Sequence, residues 1–71
     1  MFKLRDILLK NKIVIDKSEL RRFLCMGVIR LNSVVLELEH FDIVVKPKDF
    51  IEIGSKRKLH IQEDGNVHFI K

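Results

Sequence analysis

Asp16-Lys-Ser-Glu-Leu-Arg-Arg-Phe-Leu-Cys-Met-Gly-Val-Ile-Arg-Leu-Asn32 decides the architecture of this chain. It reads as a helix with both ends marked, followed by a strand. Asp16 is a good N-cap, and Glu19, three residues on, is placed to close a capping box. Both acids also suit the positive end of the helix dipole. Leu20, Phe23 and Leu24 recur at i, i+3 and i+4, so one side of the helix is apolar. Gly27 stands where a left-handed C′ residue is expected. The period then changes to two: Ile29 and Leu31 face a core while Arg30 faces out. The arc opposite the apolar stripe carries Ser18, Arg21, Arg22 and Cys25.

Toward the N-terminus, Leu4, Ile7 and Leu8 make a second helical stripe, with Leu9 at its margin and Asn11 as a stop. Ile13, Val14 and Ile15 form a β-branched connector whose side chains are expected to plug the core. Toward the C-terminus the signals are those of strands. Asn32-Ser33 reads as a turn, with a strand expected around Val34 to Leu38. Ile43 to Val45 is another apolar run, and Pro47-Lys48 a turn. Phe50 to Ile53 alternates, Gly54-Ser55 turns, and Leu59 and Ile61 continue the alternation on a returning strand. Asp64-Gly65-Asn66 is a strong turn signal before a last short strand from Val67 to Ile70. The expected fold is α+β: two N-terminal helices packed on a small antiparallel β region, as one domain over residues 1–71.

At 71 residues, folding buries only about 60% of the unfolded surface, so stability is marginal. Cys25 is the lone cysteine; it excludes an internal disulfide and fits a reducing compartment. No apolar run approaches the roughly 20 residues of a membrane span, and no signal-peptide core is seen. A soluble, cytoplasmic protein is expected. The formal net charge of +4 is unevenly spread. Residues 1–31 carry a net +5, residues 32–55 a net −3 and residues 56–71 a net +2. If the two basic ends meet in space, the surface suits nucleic acid or an acidic partner; ordinary solvating charge is the plainer alternative.

A catalytic site is hard to assemble from these residues. His40, His60 and His68 lack metal-ligand spacing, and one cysteine cannot build a zinc site. Cys25 lies on the basic arc, but without a positioned base it reads as a helix-flank residue rather than a nucleophile. Three scattered glycines make no phosphate loop. The expectation is a non-enzyme without cofactor or small-molecule substrate. The aromatics are five phenylalanines, with no Tyr or Trp. Phe23 belongs to the core, and Phe50, out of phase with Ile51 and Ile53, is expected to pack under a loop. With no aromatic platform evident, a sheet that stacks unpaired bases is not expected.

These residues, in this order, resemble the S4 RNA-binding domain. Leu4-Arg5-Asp6 with Leu8 looks like the family's opening Arg-Leu-Asp-type helix with the first two residues exchanged. Ser18-Glu19-Leu20-Arg21-Arg22 looks like its Ser-Glu-Ala-Arg-Arg segment, and Gly27, Ile29, Leu31 and Asn32 like its Gly-x-Val-x-Val-Asn-Gly segment. Asp49-Phe50-Ile51 looks like its Gly-Asp-x-Ile turn and strand. Ile53-Gly54-Ser55-Lys56-Arg57-Lys58 is similar to the Ile-Gly-Lys-Arg-Lys ending of the C-terminal S4-like domain of bacterial-type tyrosyl-tRNA synthetases. The likeness runs from about Leu4 to Ile61. The chain departs from the pattern at Leu20 (alanine in the family), Ser33 and Lys48 (glycines in the family) and the extra Ser55. A type I′ turn needs positive φ at both central residues, so Ser33 there implies either strain or a different turn.

The resemblance implies the alpha-L arrangement of helices on sheet and a non-catalytic module that binds structured RNA, tRNA or rRNA, in an enzyme or ribosome context. It places Arg21 and Arg22 toward phosphates, which guanidinium groups grip with paired donors. Lys17 and Ser18 occupy the first turn of the same helix, where free N–H groups favour an anion. Lys56, Arg57 and Lys58 form a basic hairpin expected to join that surface. Arg5, Lys10, Lys12 and Arg30 are further candidates, each equally readable as a solvated charge. Arg21 and Arg22 have a plainer reading too, in which they pair with Glu19, Asp6 or solvent. Two other readings stand beside this one: the tRNA-anchoring C-terminal domain of a tyrosyl-tRNA synthetase, and a protein-interaction or DNA-binding helix-turn-helix module. The β-branched connector and the strand-rich C-terminal half argue against the latter.

Overall fold

The computed structural model describes residues 2–70. Its elements run β1 (Phe2–Lys3), α1 (Leu4–Lys10), α2 (Lys17–Met26), β2 (Ile29–Leu31), β3 (Val34–Val35), a 3-10 turn (Leu38–His40), β4 (Val44–Val45), β5 (Phe50–Ile53), β6 (Arg57–Ile61) and β7 (Val67–Ile70). The expected α+β class is present. A five-stranded antiparallel sheet has the order β3-β2-β5-β6-β7, and β1 pairs with β4 in a separate two-stranded ladder.

The apolar stripes read from the sequence face the core, although Phe23 of α2 and Leu31 of β2 pack at its margin and are only partly buried. Leu4, Ile7 and Leu8 from α1, Leu20 and Leu24 from α2, and Ile13 and Val14 between them meet Ile29, Ile51, Ile53, Leu59 and Ile61 of the sheet. Leu20 is fully enclosed. Asp16 caps α2 by accepting a hydrogen bond from the Glu19 N–H at 2.8 Å. Glu19 reaches back past Asp16 to the Ile15 N–H at 3.2 Å, so the box closes one residue early. Gly27 ends the helix at φ +69, a left-handed residue.

Three expectations change, and one ladder is added. Ile15 is 79% exposed; the connector plugs the core with Ile13 and Val14 only, because capping turns Ile15 outward. The strand expected over Val34 to Leu38 stops at Val35. Leu36 drops into the core, and Glu37 caps a 3-10 turn in which His40 Nδ1 accepts from the Glu37 N–H at 2.9 Å. Phe50 is half-buried in β5, with its ring against His60 rather than under a loop. The β1–β4 ladder has no periodic signal because each strand is two residues long. Its effect is nonetheless clear: the Ile43 carbonyl accepts from the Leu4 N–H at 2.9 Å and satisfies the start of α1, which has no side-chain cap.

The turns show where strain is held. Asn32 and Ser33 both have positive φ, +50 and +72, as a type I′ turn requires. Lys48 follows Pro47 with φ +76, and the Asp49 N–H bonds to the Lys46 carbonyl at 3.1 Å. That is the φ pattern of a type II turn, which favours glycine at the Lys48 position. One polar network ties these two turns together. Asp49, only 8% exposed, accepts from Asn32 Nδ2 at 3.2 Å and from the Lys46 N–H at 2.9 Å. Asn32 Oδ1 accepts from the Phe50 N–H at 2.9 Å, and the Asn32 N–H donates to the Phe50 carbonyl at 2.7 Å.

Two stability predictions follow from these contacts. A non-glycine residue held left-handed is strained by about 1–2 kcal/mol, and glycine returns roughly half of that as unfolded-state entropy. Ser33→Gly and Lys48→Gly are therefore each expected to stabilise the fold by about 0.5–1 kcal/mol, read as a rise in thermal midpoint of about 2–8 °C. Asp49→Ala leaves the Asn32 amide and the Lys46 N–H without their acceptor, so a loss of about 1–3 kcal/mol is expected in urea unfolding.

Candidate nucleic-acid interface

Strand alternation and the helix stripe decide where each basic side chain lies. In α2 the Leu20–Leu24 stripe faces the sheet, so Arg21, Arg22, Lys17 and Ser18 are all exposed. The Arg21 guanidinium lies over the Phe41 ring, 4.7 Å from its centroid. A cation on a ring face is held by the ring quadrupole while its N–H edges stay free to donate. Arg22 has no aromatic or acidic partner among the described residues. Neither arginine pairs with Glu19 or Asp6 among the described residues; of the plainer reading, only its solvated form remains, and Arg22 fits it.

Arg5 is placed differently. It is half-buried, hydrogen-bonded to Asp42, 3.9 Å from Asp6, and 5.8 Å from the Phe41 centroid. Phe41 thus has one guanidinium engaged by acids, that of Arg5, and one available, that of Arg21. Lys10 Nζ donates to the Asp64 carbonyl at 3.4 Å and helps to hold the loop before β7. Within that loop the Asn66 N–H and amide donate to Asp64, which holds the Asp64 carboxyl below its usual range. Lys12 is exposed at a left-handed backbone position, φ +57, just beyond α1.

The basic hairpin does not present as one patch. Lys56 sits in the three-residue connection between β5 and β6. Arg57 opposes Ile53 and so shares the helix-covered side of the sheet, at its open end. Lys58 opposes Glu52, which opposes Arg30, and this row lies on the uncovered side. Alternation along one strand is the reason: neighbours point to opposite faces. The Gly54 N–H donates to the Val28 carbonyl at 2.8 Å and holds the hairpin tip at the C-terminal end of α2. Between them lies an open cleft of about 400 Å³, lined by Gly27, Val28, Arg30, Gly54, Ser55 and Lys58 together with Glu52. Arg30 and Lys58 thus share one cleft with a carboxylate between them, while Arg21 and Arg22 stand on the helix face.

Sequence reasoning missed Phe41 as the platform for Arg21, since its pairing across the fold has no local signature. It also missed Glu52 beside Arg30 and Lys58, although the alternation of Ile51 and Ile53 put Glu52 outward. Among the described residues, no group of three or more His, Cys, Asp or Glu side chains is arranged to hold a metal ion. No helix of the described residues is long and apolar enough to cross a membrane. No protein-family model, curated protein or solved structure matches the chain.

Proposed function

We propose that this chain is a non-catalytic RNA-binding module of the S4 type, which takes structured RNA (tRNA or rRNA) on the exposed face of α2. The observation that carries this reading is the Arg21–Arg22 pair. One guanidinium is oriented on Phe41, the other points to solvent, and neither is neutralised by a carboxylate of the described residues. Lys17 and Ser18 extend the same face to the helix N-terminus. The backbone adds independent support for the family. Ser33 and Lys48, which stand where the family carries glycine, both have positive φ. The chain therefore keeps the turns that glycine serves while losing the glycines. The narrower reading, a tRNA-anchoring domain of a tyrosyl-tRNA synthetase, rests on the resemblance of Ile53 to Lys58 in sequence and gains nothing from the hairpin's geometry.

If about four to six phosphates are neutralised, affinity for folded tRNA falls on the order of a hundredfold or more between 50 and 200 mM salt. Filter binding across that range checks this, and a nearly flat titration rejects the mechanism. The double variant Arg21→Ala/Arg22→Ala is expected to weaken binding and to make the log–log salt slope shallower by about 2, with unchanged thermal unfolding. Competition among folded tRNA, single-stranded RNA and duplex DNA at equal salt separates this reading from a DNA-binding one.

A further inference from the structure

The uncovered side of the five-stranded sheet carries a row of rings that strand pairing builds from three separate segments. Phe50 on β5 opposes His60 on β6, and His60 opposes His68 on β7. The Phe50 and His60 rings are 5.3 Å apart between centroids and inclined at 47°. His60 and His68 are exposed, while Phe50 is half-buried and backs His60. The neighbouring row on the same face is Arg30–Glu52–Lys58, with cations on both sides of one carboxylate. At the other margin of His60 an open cleft of about 520 Å³ is lined by Pro47, Lys48, His60, Ile61, Gln62 and Glu63. Its wall is mostly apolar, and Lys48 is the one cationic residue among those that line it.

We infer that this face is a second RNA-binding surface, on which unpaired RNA nucleotides stack against His60 and His68, with one base seated in the cleft between His60 and Pro47. Imidazole rings are effective stacking partners for bases, and stacking tolerates any base because every base has a flat π-face. Arg30, Lys58 and Lys48 border the ring row and the cleft, where they neutralise the phosphates of a strand laid across the sheet. Glu52 in the neighbouring row and Glu63 in the cleft are acidic; they disfavour a bare polyanion more than a ligand that gains from stacking. The face lies on the opposite side of the sheet from α2, so the inference does not depend on the α2 reading. It adds single-stranded nucleotides to the ligands of the molecule.

The test uses the full chain and an end-labelled eight-nucleotide uridine RNA, which forms no duplex with itself, followed by fluorescence anisotropy. Stacking is worth about 1–3 kcal/mol per base, so His60→Ala and His68→Ala are each expected to weaken binding by about five- to 150-fold. Both residues are exposed, and thermal unfolding by circular dichroism verifies that the variants fold. An abasic oligomer of equal length and charge is expected to bind at least about tenfold more weakly than the uridine RNA. The Arg21→Ala/Arg22→Ala variant is expected to bind the uridine RNA as the parent does. Equal binding of the abasic and uridine oligomers, or full affinity in a His60→Ala/His68→Ala double variant, overturns the proposal. So does loss of uridine RNA binding in the arginine variant, which would place the oligomer on α2. A flat salt titration with folded tRNA, beside ring-dependent binding of the uridine RNA, would instead remove the α2 reading and leave this one standing.

Discussion

A single enclosed carboxylate sets the register on which the rest of this protein depends. Asp49 accepts hydrogen bonds from the Lys46 backbone and the Asn32 side chain, and Asn32 is itself bonded twice to Phe50. The turn after β2 is thereby locked to the turn before β5. Side chains alternate along a strand, so a slip of one residue would exchange the two faces of the sheet. Ile51 and Ile53 would turn to solvent, and Phe50 and Glu52 would turn into the core. In so small a domain, with one covered face, that exchange could not be absorbed elsewhere.

The same alternation explains the electrostatics. A run of three cations at residues 56–58 suggests one dense patch, yet β6 sends Arg57 and Lys58 to opposite sides of the sheet. Each side then carries its own chemistry. The helix side presents Arg21 and Arg22, with Phe41 holding the former. The open side presents Arg30, Lys58 and the rings of Phe50, His60 and His68. Separating like charges lowers their mutual repulsion, and seating Glu52 between Arg30 and Lys58 lowers it further.

Much of the fold was legible before any coordinates. The stripes of Leu4, Ile7 and Leu8 and of Leu20 and Leu24, the cap at Asp16, the left-handed Gly27 and the alternation from Phe50 to Ile61 all carry local periodicity or turn chemistry. The elements that were misread carry neither. Leu36 breaks from the line of Val34 and Val35 because the core has room for it, and Glu37 with His40 then closes a 3-10 turn. The β1–β4 ladder is too short to show alternation, and Ile15 looked like its neighbours Ile13 and Val14 until capping turned it outward. The candidate site was legible in its residues but not in their partners. Arg5 and Arg21 look alike in the sequence, and it is the acids beside Arg5, Asp42 first and Asp6 next, that distinguish the bound one from the available one.

What the sequence alone determined is therefore the two helices and the longer strands, their order, the apolar faces and the inventory of cations. These follow from periods of 3.6 and 2 and from turn residues, all written within a few positions of one another. Tertiary structure alone decided which cations share a surface, which one rests on Phe41, and that Phe50, His60 and His68 form one row. Those relations join residues many positions apart. They arise only once strand register and helix packing have brought the segments together, and no local pattern encodes them.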